Sequence, residues 1–232
     1  MAYYPILMDL EGRRALVVGG GAVAERKVTG LLDSGAEVEV VARDINPRLM
    51  DMASKGLIRW AAEEFAEEQL QGAALVVAAT DSEAVNRQVS SAAQSRGIPV
   101  NAVDQPADCT FIVPAVVRRG DFLIAVSTSG CSPALARRVR EELERGFGPE
   151  YDEFLRLMRK IRPLVLKRGE GQEENSRVFT ELLDSGLLEV VRFKDWEKAG
   201  EILTRVLGSR WDASDVKLAV ESEQGATKNR AE

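Results

Sequence analysis

Histidine is absent from this sequence. That excludes a histidine triad, a histidine metal site and any imidazole acid or base. Proton transfer must fall to Asp, Glu, Lys, Tyr, Cys or the substrate itself. Any metal must be met by oxygen, sulfur or a ligand that the substrate brings. Cysteine is scarce, with only Cys109 and Cys131. Two are too few for a disulfide framework and suit a reducing cytoplasm, where separated cysteines are more often free and buried. No apolar run approaches the roughly 18 residues of a membrane span. The start, MAYYPILMDLEG, lacks the basic region and long apolar core of a signal peptide. Basic charge is not in excess: 31 basic against 37 acidic residues give −6, which argues against a general nucleic-acid binder. The expectation is a cytoplasmic protein with no nucleic-acid or membrane partner. Its 232 residues, 45% hydrophobic, suffice for a real core in one or two domains.

What the sequence does have is RALVVGGGAVA, Arg14 to Ala24. An apolar run, Ala15 to Val18, suits a buried strand. The chain turns on Gly19, Gly20 and Gly21 and enters a helical pattern through Ala22 and Val23. Gly19-x-Gly21-x-x-Ala24 fits the dinucleotide fingerprint. Gly19 allows the tight turn, Gly21 lets the backbone approach a pyrophosphate, and Ala24 is small enough for helix to pack on strand. Free N–H groups at the helix start then face the phosphates.

Apolar strands alternate with amphipathic helices as far as about residue 105. Val38–Ala42, Leu57–Trp60, Ala73–Ala79 and Ile98–Val103 read as strands. Helical faces fall between them: Val23 to Leu32, the stretch from Asn46-Pro47 to Ala53, an acidic Glu63–Leu70, and Ala84 to Ala93. This pattern predicts βαβ units around a parallel sheet. The fold expected is therefore α/β, a Rossmann-like parallel sheet with helices on both faces (residues 1–110). After it, FIVPAVV and FLIAVS flank Arg118-Arg119-Gly120-Asp121, a hairpin signal. Ser132 and Pro133 open a helix reaching about Phe147. The hairpin and helix make a second region, 111–147. Residues 148–207 read as a helical domain, with Lys167–Ser176 as a charged linker. Residues 208–232 are polar and weakly patterned, expected to be a flexible tail.

Ligands of open α/β sheets bind beyond the carboxyl ends of the strands. The Gly19–Gly21, Thr80–Asp81 and Asp104–Cys109 loops qualify. Asp104 ends a strand that should be central, facing the nicotinamide side of a cofactor. It is a candidate general base, and equally a turn residue before Gln105-Pro106. At the end of the second strand, Asp44 suits the ribose of NAD, whereas Arg43 suits the 2′-phosphate of NADP; NAD is preferred. Ser127, Thr128, Ser129 and Ser132 lead into a helix start followed by Arg137, Arg138 and Arg140. Together they would suit a substrate bearing carboxylates. The same arginines would equally pair with Glu141, Glu142 and Glu144 on a solvated face. No resident metal site is expected.

YYPILMDLEGRRALVVGGGAVAERK, AATDSEAVN and VNAVDQPADCTFIVPAVVRRGDFLIAVSTSGCSPALARRVREELE together resemble the precorrin-2 dehydrogenase/sirohydrochlorin ferrochelatase family. This is the family of the amino-terminal domain of siroheme synthase, which also occurs as a stand-alone protein, the form expected here. The resemblance runs over about residues 1 to 165. It implies oxidation of precorrin-2 by NAD to sirohydrochlorin, in siroheme biosynthesis. Asp104 matches the family's catalytic aspartate, and Gly19 to Ala24 its cofactor loop. Some members also insert ferrous iron into sirohydrochlorin, with the tetrapyrrole supplying the nitrogens. Members often show serine where Thr128 stands, and the hydroxyl is kept. The resemblance further implies a homodimer built through the hairpin region. Two other readings of the residues remain: a non-enzymatic NAD-sensing regulatory module, and another NAD(P) dehydrogenase acting on an acidic metabolite.

Overall fold

The computed structural model describes residues 3–221. Two compact units result, one running to Val113 and including Ser129–Cys131, the other holding Pro114–Thr128 and the chain from Ser132 on.

In the first unit, β1 (Arg14–Val18), β2 (Glu37–Val41), β3 (Ile58–Ala62), β4 (Leu75–Ala78) and β5 (Val100–Ala102) form a parallel sheet in the order β3-β2-β1-β4-β5. The inner strands β1, β4 and β5 are mostly apolar because both faces are covered. Alternation sorts their side chains. Ala15, Val17, Val38, Val40 and Val77 meet α1 (Ala22–Leu32) and α2 (Pro47–Ser54) through Val28 and Leu49. Leu16, Val18, Val76 and Ala78 meet α3 (Glu83–Ser95) through Val89 and Ala93. Leu16 is fully buried, so its truncation to alanine should cost about 2–5 kcal/mol.

One buried charge lies within the strands. Glu39 is 4% exposed, with ion pairs to Arg14 (2.8 Å) and Arg59. Arg14 also donates to the Gln69 and Gln71 carbonyls. It thereby fastens a short 3-10 turn, Glu67–Leu70. That turn is all that forms of the acidic helix expected over Glu63–Leu70. Of that stretch, Leu70 is fully buried and Phe65 half-buried, while Glu63, Glu64, Glu67 and Glu68 face solvent. Two apolar anchors are too few to hold a longer helix in place.

The second unit begins with an antiparallel hairpin, β6 (Ala115–Arg119) and β7 (Phe122–Val126). Gly120, at φ +56°, heads the two-residue turn. Pro114 stands just outside β6, where no ladder N–H is required. Phe111, expected in this strand, packs instead into the core of the first unit. The helix α4 (Pro133–Gly146) follows, capped by Ser132. Phe122, Phe147 and Tyr151 cluster, with ring centroids 4.7–5.5 Å apart.

Helices α5 (Glu150–Leu166), α6 (Gln172–Asp184), α7 (Leu187–Arg192), α8 (Trp196–Leu207) and α9 (Ala213–Glu221) enclose a core of Leu157, Ile161, Leu182, Leu187 and Leu203. Two expectations are corrected here. The linker is shorter than Lys167–Ser176, because α6 already begins at Gln172. The tail expected from 208 is helical over Ala213–Glu221, since Val216, Ala219 and Val220 recur at i, i+3, i+4 and are buried. Residues 222–232 of that expected tail lie outside the described residues. No described helix is long and apolar enough to cross a membrane.

Candidate active site

The carboxyl edge of the parallel sheet gathers four loops. The first follows β1. Gly19 sits at φ +131°, and a Cβ there would stand 2.3 Å from the Ala79 carbonyl oxygen. Gly19 therefore serves both the turn and the contact with the chain leaving β4. Gly20 is as confined, with the Asp44 carbonyl 2.0 Å from where its Cβ would be. Gly21 differs, since no protein atom lies within 4 Å of a Cβ built on it. It caps α1 with extended backbone and no side-chain hydrogen bond. The Ala22, Val23 and Ala24 N–H groups thus start the helix without a side-chain cap, and Ala24 is fully buried beneath them. Open space before a glycine and an uncapped helix start fit a dinucleotide pyrophosphate.

The second loop follows β2. Arg43 and Asp44 are both exposed, and Arg43 pairs with Glu64 at 2.8 Å. Asn46 fixes this loop to the first. Its N–H donates to the Gly20 carbonyl (2.9 Å), and its Nδ2 donates to Glu25 Oε2 (2.7 Å). Its Oδ1 caps α2 by accepting from the Arg48 and Leu49 N–H groups. A third loop follows β4. Asn86 is 3% exposed. Its Oδ1 accepts from the Thr80 N–H (3.0 Å) and hydroxyl (2.8 Å), while its Nδ2 donates to the Thr80 carbonyl (3.0 Å). Asp81 beside it is exposed.

Asp104 follows β5. It is exposed and adopts φ +59°, a left-handed conformation that aspartate tolerates better than most residues. No hydrogen bond or ion pair engages its carboxylate among the described residues. Beneath it lie Asn101, Cys109 and Lys27 of α1, whose Nζ donates to Asn101 Oδ1 (3.2 Å). Burial pushes the Lys27 ammonium below, and the Cys109 thiol above, their ordinary values. Both cysteines are free; Cys131, expected to be buried, is exposed in its polar loop.

The expected substrate residues divide between the units, Ser129 in the first and Ser127, Thr128, Ser132 and Arg137 in the second. Ser129 is left-handed at φ +52°. The Thr128 hydroxyl accepts from the Ser132 N–H (3.0 Å), and the Ser132 hydroxyl accepts from the Leu135 N–H (3.2 Å). Pro133 has no N–H, so this helix start offers fewer backbone donors than α1, although each hydroxyl keeps a proton to donate. Arg137 bonds Glu141 (2.9 Å) and holds that carboxyl below its usual range. Among the described residues, no group of three or more Cys, Asp or Glu is arranged to hold a metal. Open clefts of about 670 Å³ beside Trp211 and about 520 Å³ beside Phe179 contain none of the expected site residues.

Asn86 and Asn101 are not singled out from the sequence, and Asn46 and Cys109 are read there only as a helix start and as a free cysteine closing the Asp104 loop. Each acts on backbone groups of a turn. The only available signal was asparagine or cysteine next to a turn in an otherwise apolar pattern.

Residues 6–115 match a family described as "Putative NAD(P)-binding", and residues 119–146 one described as "Sirohaem biosynthesis protein central". A siroheme synthase of Methylobacillus flagellatus is 42% identical over 212 residues, 90% of this chain and 45% of that protein. Siroheme synthase 1 of Serratia proteamaculans is 47% identical over 144 residues, 62% of this chain and 30% of that protein. This chain thus spans less than half the length of these relatives. A solved structure, SirC, precorrin-2 dehydrogenase, aligns over 89% of this chain and all of its own, with a TM-score of 0.72 and 28% identity.

Proposed function

We infer the activity from kinship: the chain belongs to the family of precorrin-2 dehydrogenase and siroheme synthase. We propose that it oxidises precorrin-2 to sirohydrochlorin with NAD, in siroheme biosynthesis. The observation that carries this reading is the shared carboxyl edge of the sheet. The open, uncapped helix start after β1 and the unengaged Asp104 after β5 lie on that one edge. Only β4 separates the two strands, so their ends are about 10 Å apart. That is within reach of one dinucleotide.

NAD supplies the hydride acceptor. The chain's own residues do the rest. The N–H groups of Ala22, Val23 and Ala24 hold the pyrophosphate, with Gly19 and Gly20 fixing the loop. Asp44 takes the ribose hydroxyls, and Arg43 stays with Glu64. Thr80 and Asp81 border the nicotinamide side. Asp104 accepts the proton that precorrin-2 loses as its hydride leaves. A carboxylate with no internal partner is free to do so. Ser127, Thr128, Ser129, Ser132 and Arg137 bind substrate carboxylates through hydroxyl protons and the guanidinium.

The same aspartate would take the pyrrole protons if ferrous iron enters sirohydrochlorin, the tetrapyrrole supplying the metal's nitrogens. We further propose a cytoplasmic homodimer. The exposed Leu135 on α4 (51%) supplies an apolar surface for a second copy.

The test is NADH formation from precorrin-2 and NAD without metal, followed by ferrous iron added to the product. NADH with a sirohydrochlorin spectrum supports the dehydrogenase, and a siroheme spectrum after iron supports the chelatase. NAD binding without NADH would return the chain to a sensing module.

A further inference from the structure

The sheet ends at β5, and the chain that follows seals its open edge. The Val100 N–H donates to Thr110 Oγ1 (2.8 Å), and the Thr110 N–H donates to the Val100 carbonyl (2.9 Å). Two residues further along β5, at Ala102, Cys109 does the same with a thiol. Its Sγ accepts from the Ala102 N–H (3.2 Å) and lies 3.1 Å from the Ala102 carbonyl and 3.3 Å from the Gln105 carbonyl. The thiol therefore meets the backbone on both sides of Asp104. A left-handed non-glycine residue persists where its surroundings over-determine it.

The thiol is itself held. Asn101, 9% exposed, donates from Nδ2 to the Phe111 carbonyl (3.1 Å) and approaches Sγ at 3.6 Å. Asn101 Oδ1 accepts from Lys27 Nζ (3.2 Å). Lys27 stands on α1, the helix that opens at Gly21. An unbroken series of contacts thus runs from the helix that starts at the glycine loop to the Asp104 turn. A lysine half-buried in the middle of an α/β unit is unusual, and the functional reading given above leaves it without a task.

We propose that Cys109 and Lys27 are positioning residues for the dehydrogenation: the thiol, steadied through Asn101 by Lys27, holds the Asp104 turn in its left-handed form and joins it to the cofactor helix. This rests on reading Asp104 as the proton acceptor. Neither residue touches the reacting atoms in this account. Their removal should lower kcat and spare NAD affinity.

The test uses the full chain with Cys109→Ala, Cys109→Ser and Lys27→Met, and two independent readouts. Amide hydrogen exchange is the first. Cys109→Ala should raise exchange at residues 102–106 at least tenfold, with β1 and α1 unchanged. Cys109→Ser, which keeps a donor and an acceptor, should raise it far less. NADH formation from precorrin-2 is the second. Here kcat should fall at least tenfold in Cys109→Ala and several-fold in Lys27→Met. NAD dissociation constants should stay within twofold, and the serine variant should recover part of the rate. Unchanged exchange in Cys109→Ala overturns the proposal. So does an increase spread evenly over the sheet, which would mean a stability role only. Unchanged kcat in both Cys109→Ala and Lys27→Met overturns it as well. A wild-type protein that makes no NADH, with exchange responding as expected, sinks the dehydrogenase reading while the hold on the turn stands.

Discussion

The Cα of Gly20 lies so close to the Asp44 carbonyl that a Cβ would stand 2.0 Å from its oxygen. The loops after β1 and β2 are thus pressed backbone to backbone, with the Asn46 N–H on the Gly20 carbonyl fixing the approach. Neighbouring Gly21 has open space instead. The two glycines therefore predict opposite outcomes. Gly20→Ala must push the loops apart, destabilising the first unit by about 1–3 kcal/mol. Gly21→Val should leave the melting temperature near wild type and weaken NAD binding at least tenfold. Thermal unfolding and NAD titration of both variants check this. Equal NAD affinity in Gly21→Val would remove the phosphate role of the α1 start.

Asn86 is the second hidden support. Replacing it with alanine leaves the Thr80 N–H and carbonyl without their partner at a nearly buried site. A loss of about 1–3 kcal/mol is expected in denaturant unfolding. On the proposal that Thr80 borders the nicotinamide side, NAD affinity should weaken as well.

The two thiols should differ in reactivity. Cys131 is exposed, whereas the Cys109 thiol is pushed up by burial, with Asp108 adding to the effect and Lys27 opposing it. Iodoacetamide followed by mass spectrometry should label Cys131 first and Cys109 slowly. The same shift carries a pH dependence. Above the ordinary thiol range, the unfolded chain loses the Cys109 proton while the folded one keeps it. The folded state then binds more protons, so this group's contribution to stability falls as pH rises. Lys27, shifted down, acts with the opposite sign between its folded value and the ordinary lysine value. Chemical unfolding of Cys109→Ala across alkaline pH should show a shallower loss than wild type.

Oligomeric state is checked by light scattering. Wild type should run as a dimer. Leu135→Glu should shift it towards monomer, because a charge would then replace the exposed apolar side chain proposed to face the second copy. A Leu135→Glu protein that stays fully dimeric would move the interface elsewhere.

Much of the sheet was legible because buried parallel strands are written as apolar runs, and α1 and α3 as one-sided stripes. The third strand was faint, since β3 is an edge strand whose Arg59 and Trp60 are exposed. Helix α9 was invisible in composition. Its stripe is only Val216, Ala219 and Val220, and its approach depends on Gly200, where a Cβ would stand 2.9 Å from the Trp211 carbonyl oxygen. That the glycine loop and Asp104 stand at strand ends on one edge of the sheet could be read from spacing and strand order. Asn46 could be read only as the cap of α2, and the hold of Asn86, Asn101 and Cys109 on backbone groups could not be read at all, because the geometry of those turns appears only after folding.

The account turns on Asp104. The most direct measurement compares wild type with Asp104→Ala for NADH formation from precorrin-2, with NAD affinity measured on the same samples. Asp104 is exposed and makes no internal bond among the described residues, so the variant should fold and bind NAD as wild type does. The predicted result is a loss of turnover of about 10²–10⁴-fold, the usual size of a general-base contribution. Wild-type turnover in Asp104→Ala would contradict the account and leave Asp104 a turn residue.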